Sequence, residues 1–433
     1  MTHRASSLGR QQRGAATLVV VMVLFLVMAL LAAYANRSLL FEQRVAGNFY
    51  RASASLEAAE AGIEWTLAQL NGTAVNNACQ PVNAGGQRFA DRYLTVDPAD
   101  RRISYKSNDP DGIIDCGRNV GADGWSCRCP ASNVAHMARP AIVGGEQSPS
   151  FGIVSMDGSV RGGTLKVQVL GCTTSSLEIC HGELKNISNQ QVSKNRLIAT
   201  LGLVSAVRTP PAAPLVVRGN LDSTGAGLGL HNTDPRSAGM LATLGGDWTG
   251  IVDGRLESVP GTSVAQTVVR GDATLQNSAN ADAVFKMFMG TTGARYQQHP
   301  ALRNVTCDGD CGPTLVAAYN AGMRMVWVSG PLTLSSNRVI GSASDPMLIV
   351  ASGDVALDGP FELTGMLVTL GGLAWTNAGA SPSVINGIVL VGGAMRTEGR
   401  MDIVYQQLVA DSLRNRVGSY VRVPGSWIDN KDL

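Results

Sequence analysis

Residues 14–70 read GAATLVVVMVLFLVMALLAAYANRSLLFEQRVAGNFYRASASLEAAEAGIEWTLAQL, and this stretch decides how the rest of the chain is organised. Its first part, Ala15–Ala35, is a run of 21 uncharged residues. As a helix the run is about 31 Å long, which is enough to cross the hydrocarbon core of a bilayer. The leader before it, residues 1–14, carries three arginines and no acidic residue. The positive-inside rule therefore places the leader in the cytoplasm and the rest of the chain outside the inner membrane.

The pattern beyond this run predicts that the same helix continues to Leu70. Apolar residues recur at steps of three or four, which places them on one helical face. No proline occurs before Pro81, and Asn71-Gly72 is typical of a helix end. A membrane anchor followed by a coiled coil is the alternative. Alanines occupy several positions of the apolar stripe, where a coiled coil usually has leucine or isoleucine. We predict one helix over 15–70 whose packing face is formed by Phe41, Val45, Phe49, Leu56, Ile63 and Leu67.

Composition bounds the remainder of the chain. At 433 residues it is long enough for two or three domains, and its formal charge of +2 argues against a nucleic-acid-binding protein. Fifty glycines and only 16% charged residues favour short strands and tight turns over a helical bundle. The predicted fold class is therefore α+β. It comprises the long helix, a mainly β head over 71–210 and a C-terminal β-rich domain over 211–433.

All eight cysteines lie after residue 78, which is typical of disulfides formed in an oxidising compartment. Cys172 and Cys180 are close enough in sequence for a local bridge, and Cys307 and Cys311 close a short loop. A zinc site is the alternative use of the thiols, but no Cys-x-x-Cys pair or His lies at finger spacing. The pairing of the other four stays open. The disulfide candidates are Cys79, Cys116, Cys127, Cys129, Cys172, Cys180, Cys307 and Cys311.

The loop Asn108–Asp115 is a candidate calcium site. Its acids Asp109, Asp111 and Asp115 surround a glycine turn, and oxygen ligands around such a turn suit calcium. The loop lacks the twelve-residue EF-hand spacing, and Asp and Gly are also ordinary turn residues. An ordinary turn is therefore the alternative, and no other cofactor is predicted.

A repeated unit follows the stiff linker Thr209–Pro214. Each copy has a few strand-forming apolar residues and ends in glycine, and the final glycines lie 19 to 27 residues apart except for one interval of 59. Such periods predict a parallel β-solenoid, with the long interval as an insertion near 276–324. An antiparallel sandwich is the alternative. The seven copies are Leu215–Gly219, Met240–Gly246, Val268–Gly271, Met325–Gly330, Met347–Gly353, Met366–Gly372 and Ile388–Gly393.

The sequence contains none of the common catalytic motifs. It has no Gly-x-Ser-x-Gly elbow, phosphate loop, dinucleotide fingerprint or His-Glu-x-x-His. A solenoid groove can hold the paired carboxylates of a glycosidase, so a membrane-anchored enzyme acting on glycans is a further alternative. We expect a non-catalytic protein that binds other molecules.

About residues 10–70 resemble the N-terminal region of PilX-like minor pilins of type IV pili. Arg13-Gly14-Ala15-Ala16 is similar to the cleavage junction of a type III prepilin leader. FEQRVAGN (41–48) and EAAEAGIE (57–64) are similar to the signature of that family, and GSYVRVPGSW (418–427) is similar to the close of its longer members. The middle of the chain matches the family only in general character.

The resemblance implies that prepilin peptidase cleaves after Gly14 and methylates the new amine of Ala15. It implies a single-pass inner-membrane protein with a periplasmic C-terminal domain that later enters an extracellular pilus. Its partners would be other minor pilins, the major pilin, the assembly platform and a tip adhesin. Its roles would lie in pilus assembly, cell adhesion and twitching motility.

Pilins usually carry glutamate at the fifth mature position, which is Val19 in this chain. In the family that carboxylate offsets the ammonium group of a neighbouring subunit, and an unpaired charge in an apolar core is costly. An incoming subunit needs the acid, whereas a first subunit has no predecessor. Val19 therefore favours a priming or tip position, unless PilX-like proteins simply tolerate valine there. The tip pseudopilin GspK of type II secretion has the same property and is the alternative assignment.

Overall fold

One helix, Ala15–Leu70, forms a stem that carries two β-rich parts. It contains 56 residues, which corresponds to about 84 Å. The computed structural model describes residues 15–106, 114–119, 124–131, 140, 148–158, 161–182, 192–335 and 337–429. Ala15 is the first described residue of the helix, and the leader, residues 1–14, lies outside the described residues.

The head is an antiparallel sheet that packs against the last third of the stem. Its two central strands, Thr164–Cys172 and Lys194–Ser205, pair with each other, with Leu165 opposite Leu201 and Val169 opposite Leu197. Alternate residues of the central strand, among them Leu165, Val167 and Val169, are fully buried beneath the helix. In spatial order, its described strands are Gly418–Arg422, Lys194–Ser205, Thr164–Cys172, Ser150–Gly158, Ile114–Gly117 and Ser126–Arg128, with Ile428–Asp429 also beside Lys194–Ser205.

Smaller elements close the head around the end of the stem. Trp65 of the stem contacts Phe89 and Phe151, with ring centroids 5.7 Å apart in each case. These aromatic contacts extend the apolar core from the sheet to the short helices and hairpins beside it. Those elements are the strand pairs Ala74–Val75 with Gln87–Arg88 and Leu94–Val96 with Ile103–Tyr105, and the helix Phe89–Tyr93. A further short helix, Leu177–His181, lies against the sheet strands Ser150–Gly158 and Thr164–Cys172.

The strand Gly418–Arg422 completes the head, so the predicted C-terminal domain over 211–433 is wrong after residue 417. In that strand, Tyr420 lies opposite Leu203. Asn71, directly after the stem, donates from Nδ2 to the Tyr420 carbonyl at 2.8 Å and accepts from the Tyr420 N–H at 2.8 Å. The second β-rich part is therefore inserted between two neighbouring strands of the head sheet.

Residues 215–404 form the parallel-strand domain, in which the named strands pair in parallel and each full turn of chain contributes three of them. Register pairs such as Leu348 with Met366 and Met366 with Ile388 are parallel, which excludes the antiparallel sandwich. All seven predicted copies supply a strand to one face, the helix-covered face. Its strands in spatial order are Leu302–Val305, Met325–Val328, Met347–Ala351, the second half of Glu362–Thr369, the second half of Ser383–Val391, Leu215–Val217, Ala242–Leu244 and Val268–Val269.

The other strands of each turn lie on two further faces. The open face alternates buried and exposed residues, as in Leu373–Asn377, which is the pattern of a sheet with one solvated side. It consists of Leu332–Leu334, Val355–Asp358, Leu373–Asn377, Met395–Gly399, Leu221–Thr224 and Trp248–Thr249. The third face consists of Val339–Ile340, the first halves of Glu362–Thr369 and Ser383–Val391, Met401–Val404, Leu228–His231 and Leu256–Glu257.

The turns do not stack in sequence order. Leu215–Val217 pairs with Ala242–Leu244 on one side and with Ser383–Val391 on the other. The first copy of the repeat therefore lies between the second copy and the seventh. It winds to one end at Val268–Val269, crosses to the opposite end at Leu302–Val305 and winds back. The predicted insertion near 276–324 is therefore partly wrong, because Leu302–Val305 is itself a strand of the helix-covered face.

Helices cover one side of the parallel-strand domain and one of its ends. Met366 and Ile388 point outward from the helix-covered face and pack with Val284 and Phe285 of the helix Ala281–Met289. Leu315 and Ala318 join the interior core at the end of the stack. The described helices of this part are Val264–Thr267, Ala273–Gln276, Ala281–Met289, Gly293–Tyr296, Gly312–Asn320 and Gln407–Asn415, with 3-10 turns at Pro235–Ser237 and Asp253–Arg255.

Polar contacts fix the parallel-strand domain to the head. The Ala74 N–H donates to the Ala321 carbonyl at 2.8 Å, and Arg303 donates to the Asn71 carbonyl at 2.6 Å. Asp345 lies 2.6 Å from Arg324 and 3.3 Å from Arg88 of the head. Burial alone would raise the pKa of Asp345, but the two arginines lower it.

Candidate functional site

The first two thirds of the stem form the largest exposed apolar surface of the described chain. Leu18 is 63% exposed, Phe25 is 70% exposed and Phe49 is 77% exposed. The stem is the one helix, among the described residues, that is long and apolar enough to cross a membrane, and none of its most apolar window is buried. An apolar surface of this size on one helix indicates burial in a membrane or against other proteins.

The predicted processing site lies at the start of this surface. Gly14 is outside the described residues, and Ala15 is the first helical residue. Val19 lies one turn further along and is 59% exposed, so any group that packs there meets an aliphatic side chain.

The packing face predicted for the stem is correct only in part. Ile63 is fully buried against the head, Leu56 and Leu67 are half-buried, and Phe41, Val45 and Phe49 are exposed. The face that the head covers is rotated toward small residues and does not extend beyond the last third of the helix. It consists of Ser55, Ala58, Ala59, Gly62, Ile63, Thr66 and Leu70.

Two glycines allow the stem to approach the head sheet closely. A Cβ on Gly62 would lie 2.6 Å from Val169 Cγ1 and 2.9 Å from Phe151 Cδ2. A Cβ on Gly171, in the strand beneath the helix, would lie 2.2 Å from the Ser55 carbonyl oxygen. Sequence reasoning missed this contact because it followed the large apolar residues, whereas the small residues of EAAEAGIE were the relevant signal.

The eight cysteines form four disulfides. The local bridge predicted for Cys172 and Cys180 is present, as is the Cys307–Cys311 loop. The remaining pairs, which the sequence left open, are Cys79–Cys129 and Cys116–Cys127. No described cysteine is free, which leaves no described thiol for the zinc site considered as an alternative.

The calcium candidate is only partly described. Asp109 and Asp111 lie outside the described residues. Asp115 is fully buried in a head strand and forms an ion pair with Arg128 at 2.9 Å. The carboxylate of Asp115 is therefore engaged by an arginine. Among the described residues, no group of three or more His, Cys, Asp or Glu side chains could hold a metal ion.

A histidine on the third face bridges two carboxylates. His231 Nδ1 lies 3.1 Å from Glu257 Oε2, and Nε2 lies 3.0 Å from Asp402 Oδ1, while Arg255 also contacts Asp402. The hydrogen bond with Asp402 raises the pKa of His231, burial opposes it, and Glu257 adds to the rise. Only the imidazolium form can donate from both nitrogens at once, so the arrangement favours a protonated ring.

We expect His231→Gln to reduce the pH dependence of stability. Because the folded pKa of His231 is raised, its contribution is complete below the unfolded value of about 6.5 and is lost as pH rises through the folded pKa. The pKa of Asp402 is lowered, so its carboxylate changes the stability only in solutions more acidic than this range. Between about pH 5 and pH 8, the free energy of unfolding should fall by about 1 kcal/mol more in the native chain than in the variant, as measured by urea unfolding. Equal losses would contradict the role of His231.

Comparisons with known proteins bear on the stem. Residues 13–64 match the family described as PilX N-terminal. No curated protein sequence matches the chain. Among solved structures, the competence-associated pilin ComZ from Thermus thermophilus is similar at 10% identity, over 88% of this chain and 97% of that one, with a TM-score of 0.22. A TM-score this low does not establish a common fold, so the family match alone supports the assignment.

The matched residues coincide with the described stem rather than with the head. They span the apolar run, the exposed half of the helix and most of the turns that pack on the sheet. The resemblance inferred from FEQRVAGN and EAAEAGIE is thereby confirmed. Over residues 13–64, this chain therefore carries an N-terminal region similar to that of PilX-like type IV pilins.

Proposed function

We propose that the protein is a minor pilin that primes a type IV pilus and displays its head at the tip. One observation carries the proposal: a single unbroken helix exposes large apolar side chains from Leu18 to Tyr50 and buries one face against the head from Ser55 to Leu70. The apolar run up to Ala35 first lies in the inner membrane, and the whole exposed part of the stem then packs among the helices of other pilins. The large apolar side chains Phe41, Val45 and Phe49 then form contacts between subunits rather than within one.

Val19 supports the priming position. A subunit added below an existing one must place a carboxylate near the ammonium group of its neighbour, and the aliphatic side chain of Val19 supplies none. A subunit at the tip has no such neighbour above it. The same reasoning applies to a GspK-like tip pseudopilin, which is the second candidate function.

The displayed part is the head with the parallel-strand domain, which we interpret as a parallel β-solenoid. Seven repeat copies on one face, in parallel register, support this interpretation. The open face and the third face are available to ligands and partners, and we propose binding rather than catalysis there. The protein would be periplasmic beyond Ala35 before assembly and extracellular afterwards.

We expect the mature N-terminus to be a methylated Ala15, detectable by mass spectrometry of the purified protein. Gly14→Trp should abolish cleavage and incorporation into pili, because the peptidase must accommodate the residue before the cut. Gly9→Trp, within the leader but away from the junction, is the matched control and should be processed normally. Normal processing and piliation of Gly14→Trp would show that the stem is only a membrane anchor.

A second experiment tests the position in the filament, and a gene deletion distinguishes a type IV pilus from a type II secretion system. An epitope inserted at Gly254, which lies in an open turn, should be labelled by immunogold at pilus ends. Label along the shaft would contradict the tip position. Loss of protein secretion with normal piliation, after deletion of the gene, would instead favour the GspK-like assignment.

A further inference from the structure

A cavity of about 640 Å³ lies where the head meets the parallel-strand domain. Its walls come from the head strand Lys194–Ser205, from the linker that leaves this strand, and from the segment 289–300. The volume falls in the range of small-molecule sites, which often form between domains. The filament contacts proposed for the stem do not involve this cavity, and the inference goes beyond them.

Cationic side chains from three separate parts of the chain line the cavity. Arg101 belongs to a head hairpin, Arg208 to the linker and Arg295 to the helix Gly293–Tyr296, and His299 lies beside them. No aspartate or glutamate is among the described lining residues. None of the three arginines forms an ion pair with a described carboxylate. The cavity therefore concentrates positive charge, and no described residue of its lining supplies a counter-charge.

Arg101 is held in position with part of its hydrogen-bonding capacity unused. Its Nη2 donates to the Leu203 carbonyl, while Nε is buried and has no partner among the described atoms. Burial lowers the pKa of Arg101, and the nearby Arg414 lowers it further. A buried guanidinium N–H and neighbouring like charges are both stabilised by a bound anion.

A simpler role accounts for only one of the arginines. Arg208 lies against Gly290, the left-handed residue that ends the helix Ala281–Met289; a Cβ at Gly290 would be 2.6 Å from Arg208 Cδ. An arginine near a helix C-terminus is favourable without any ligand. Arg101 and Arg295 do not cap that helix, and a ligand held between them would account for their position on the same cavity.

We propose that this cavity binds a compact polyanion, a small molecule with two or more carboxylate or phosphate groups. Guanidinium groups bind both kinds of oxyanion through paired N–H donors, and three of them suit more than one anionic group. Leu203, Met289 and Val421 supply an apolar wall for the carbon body of such a ligand. His299 hydrogen bonds to Ser419 through Nδ1, which fixes its ring at the edge of the cavity.

Isothermal titration of the full chain in detergent micelles tests the proposal with two probes, inorganic pyrophosphate and citrate. We expect saturable binding at low ionic strength, with citrate indicating a carboxylate ligand and pyrophosphate a phosphate ligand. The double variant Arg208→Gln/Arg295→Gln should weaken binding at least ~10-fold, because charge-assisted hydrogen bonds are lost. Arg208→Lys/Arg295→Lys, which keeps the charge but not the paired donors, should have an intermediate affinity.

Arg270→Gln is the control for general surface charge, because Arg270 is exposed in the parallel-strand domain and does not line the cavity. Its replacement removes one positive charge, half of what the double glutamine variant removes. The affinity of Arg270→Gln for the probe should equal that of the native chain. An absence of saturable binding with both probes would overturn the proposal. An equal loss in Arg270→Gln would also overturn it, because general surface charge would then explain the binding.

Discussion

Replacing Gly171 with alanine is expected to lower the free energy of unfolding of the head by about 3 kcal/mol. A Cβ at this position would lie 2.2 Å from the Ser55 carbonyl oxygen and 2.3 Å from the Ala59 nitrogen. Both atoms belong to the helix backbone, so no side chain can rotate away to relieve the overlap. The helix must lift from the sheet, which also separates Ile63 from its buried contacts.

Gly202→Ala is the matched control for this substitution. Gly202 lies on the adjacent strand of the same sheet, and its added Cβ would meet only Val423 Cγ2, at 3.4 Å. This variant should remain within about 0.5 kcal/mol of the native chain. Urea unfolding followed by tryptophan fluorescence in micelles measures both, since Trp65 and Trp125 lie in the head core. Equal effects of the two substitutions would contradict close packing at Gly171.

Ending the chain after Pro210 is expected to unfold the head, whereas removing residues 209–415 and closing the gap with a short Gly-Ser linker should leave it folded. The truncated chain lacks the strand Gly418–Arg422, and both Leu203 and the polar groups of Asn71 lose their partners. A lost edge strand with unsatisfied buried groups costs several kcal/mol, a large part of the stability of a small domain. A short linker suffices because the two ends to be joined lie close together: the Ala206 N–H donates to the Val417 carbonyl at 2.8 Å.

The two deletion variants serve as controls for each other, because both lack the parallel-strand domain. Circular dichroism and limited proteolysis should show a folded head only for the internally deleted chain. If both chains were unfolded, the parallel-strand domain would be required to support the head. If both were folded, the C-terminal strand would be dispensable.

Several features could be predicted because they depend on neighbours in sequence. The stem ends at Leu70 because Asn71-Gly72 stops a helix whose apolar period holds until then. The glycine-ended repeats correspond to strands because each needs only a short apolar run and a turn. The local disulfide Cys172–Cys180 follows from a short separation in the same way.

Features that depend on distant partners could not be predicted. Nothing local in Gly418–Arg422 distinguishes a head strand from another turn of the repeat, since both are short and apolar. The spatial order of the turns depends on the pairing of Leu215–Val217 with Ser383–Val391, far apart in sequence. The arginine-lined cavity combines Arg101 with Arg208 and Arg295, and isolated arginines have no spacing that reveals such a site.

The insertion of one part of the chain into the sheet of another also sets an order of events during synthesis. A ribosome makes Lys194–Ser205 well before the strand that pairs along its edge, Gly418–Arg422. More than two hundred residues must therefore be synthesised before the head sheet can close. An incompletely translated chain has a full stem and an unpaired strand edge, to which a chaperone that binds unpaired strands could attach.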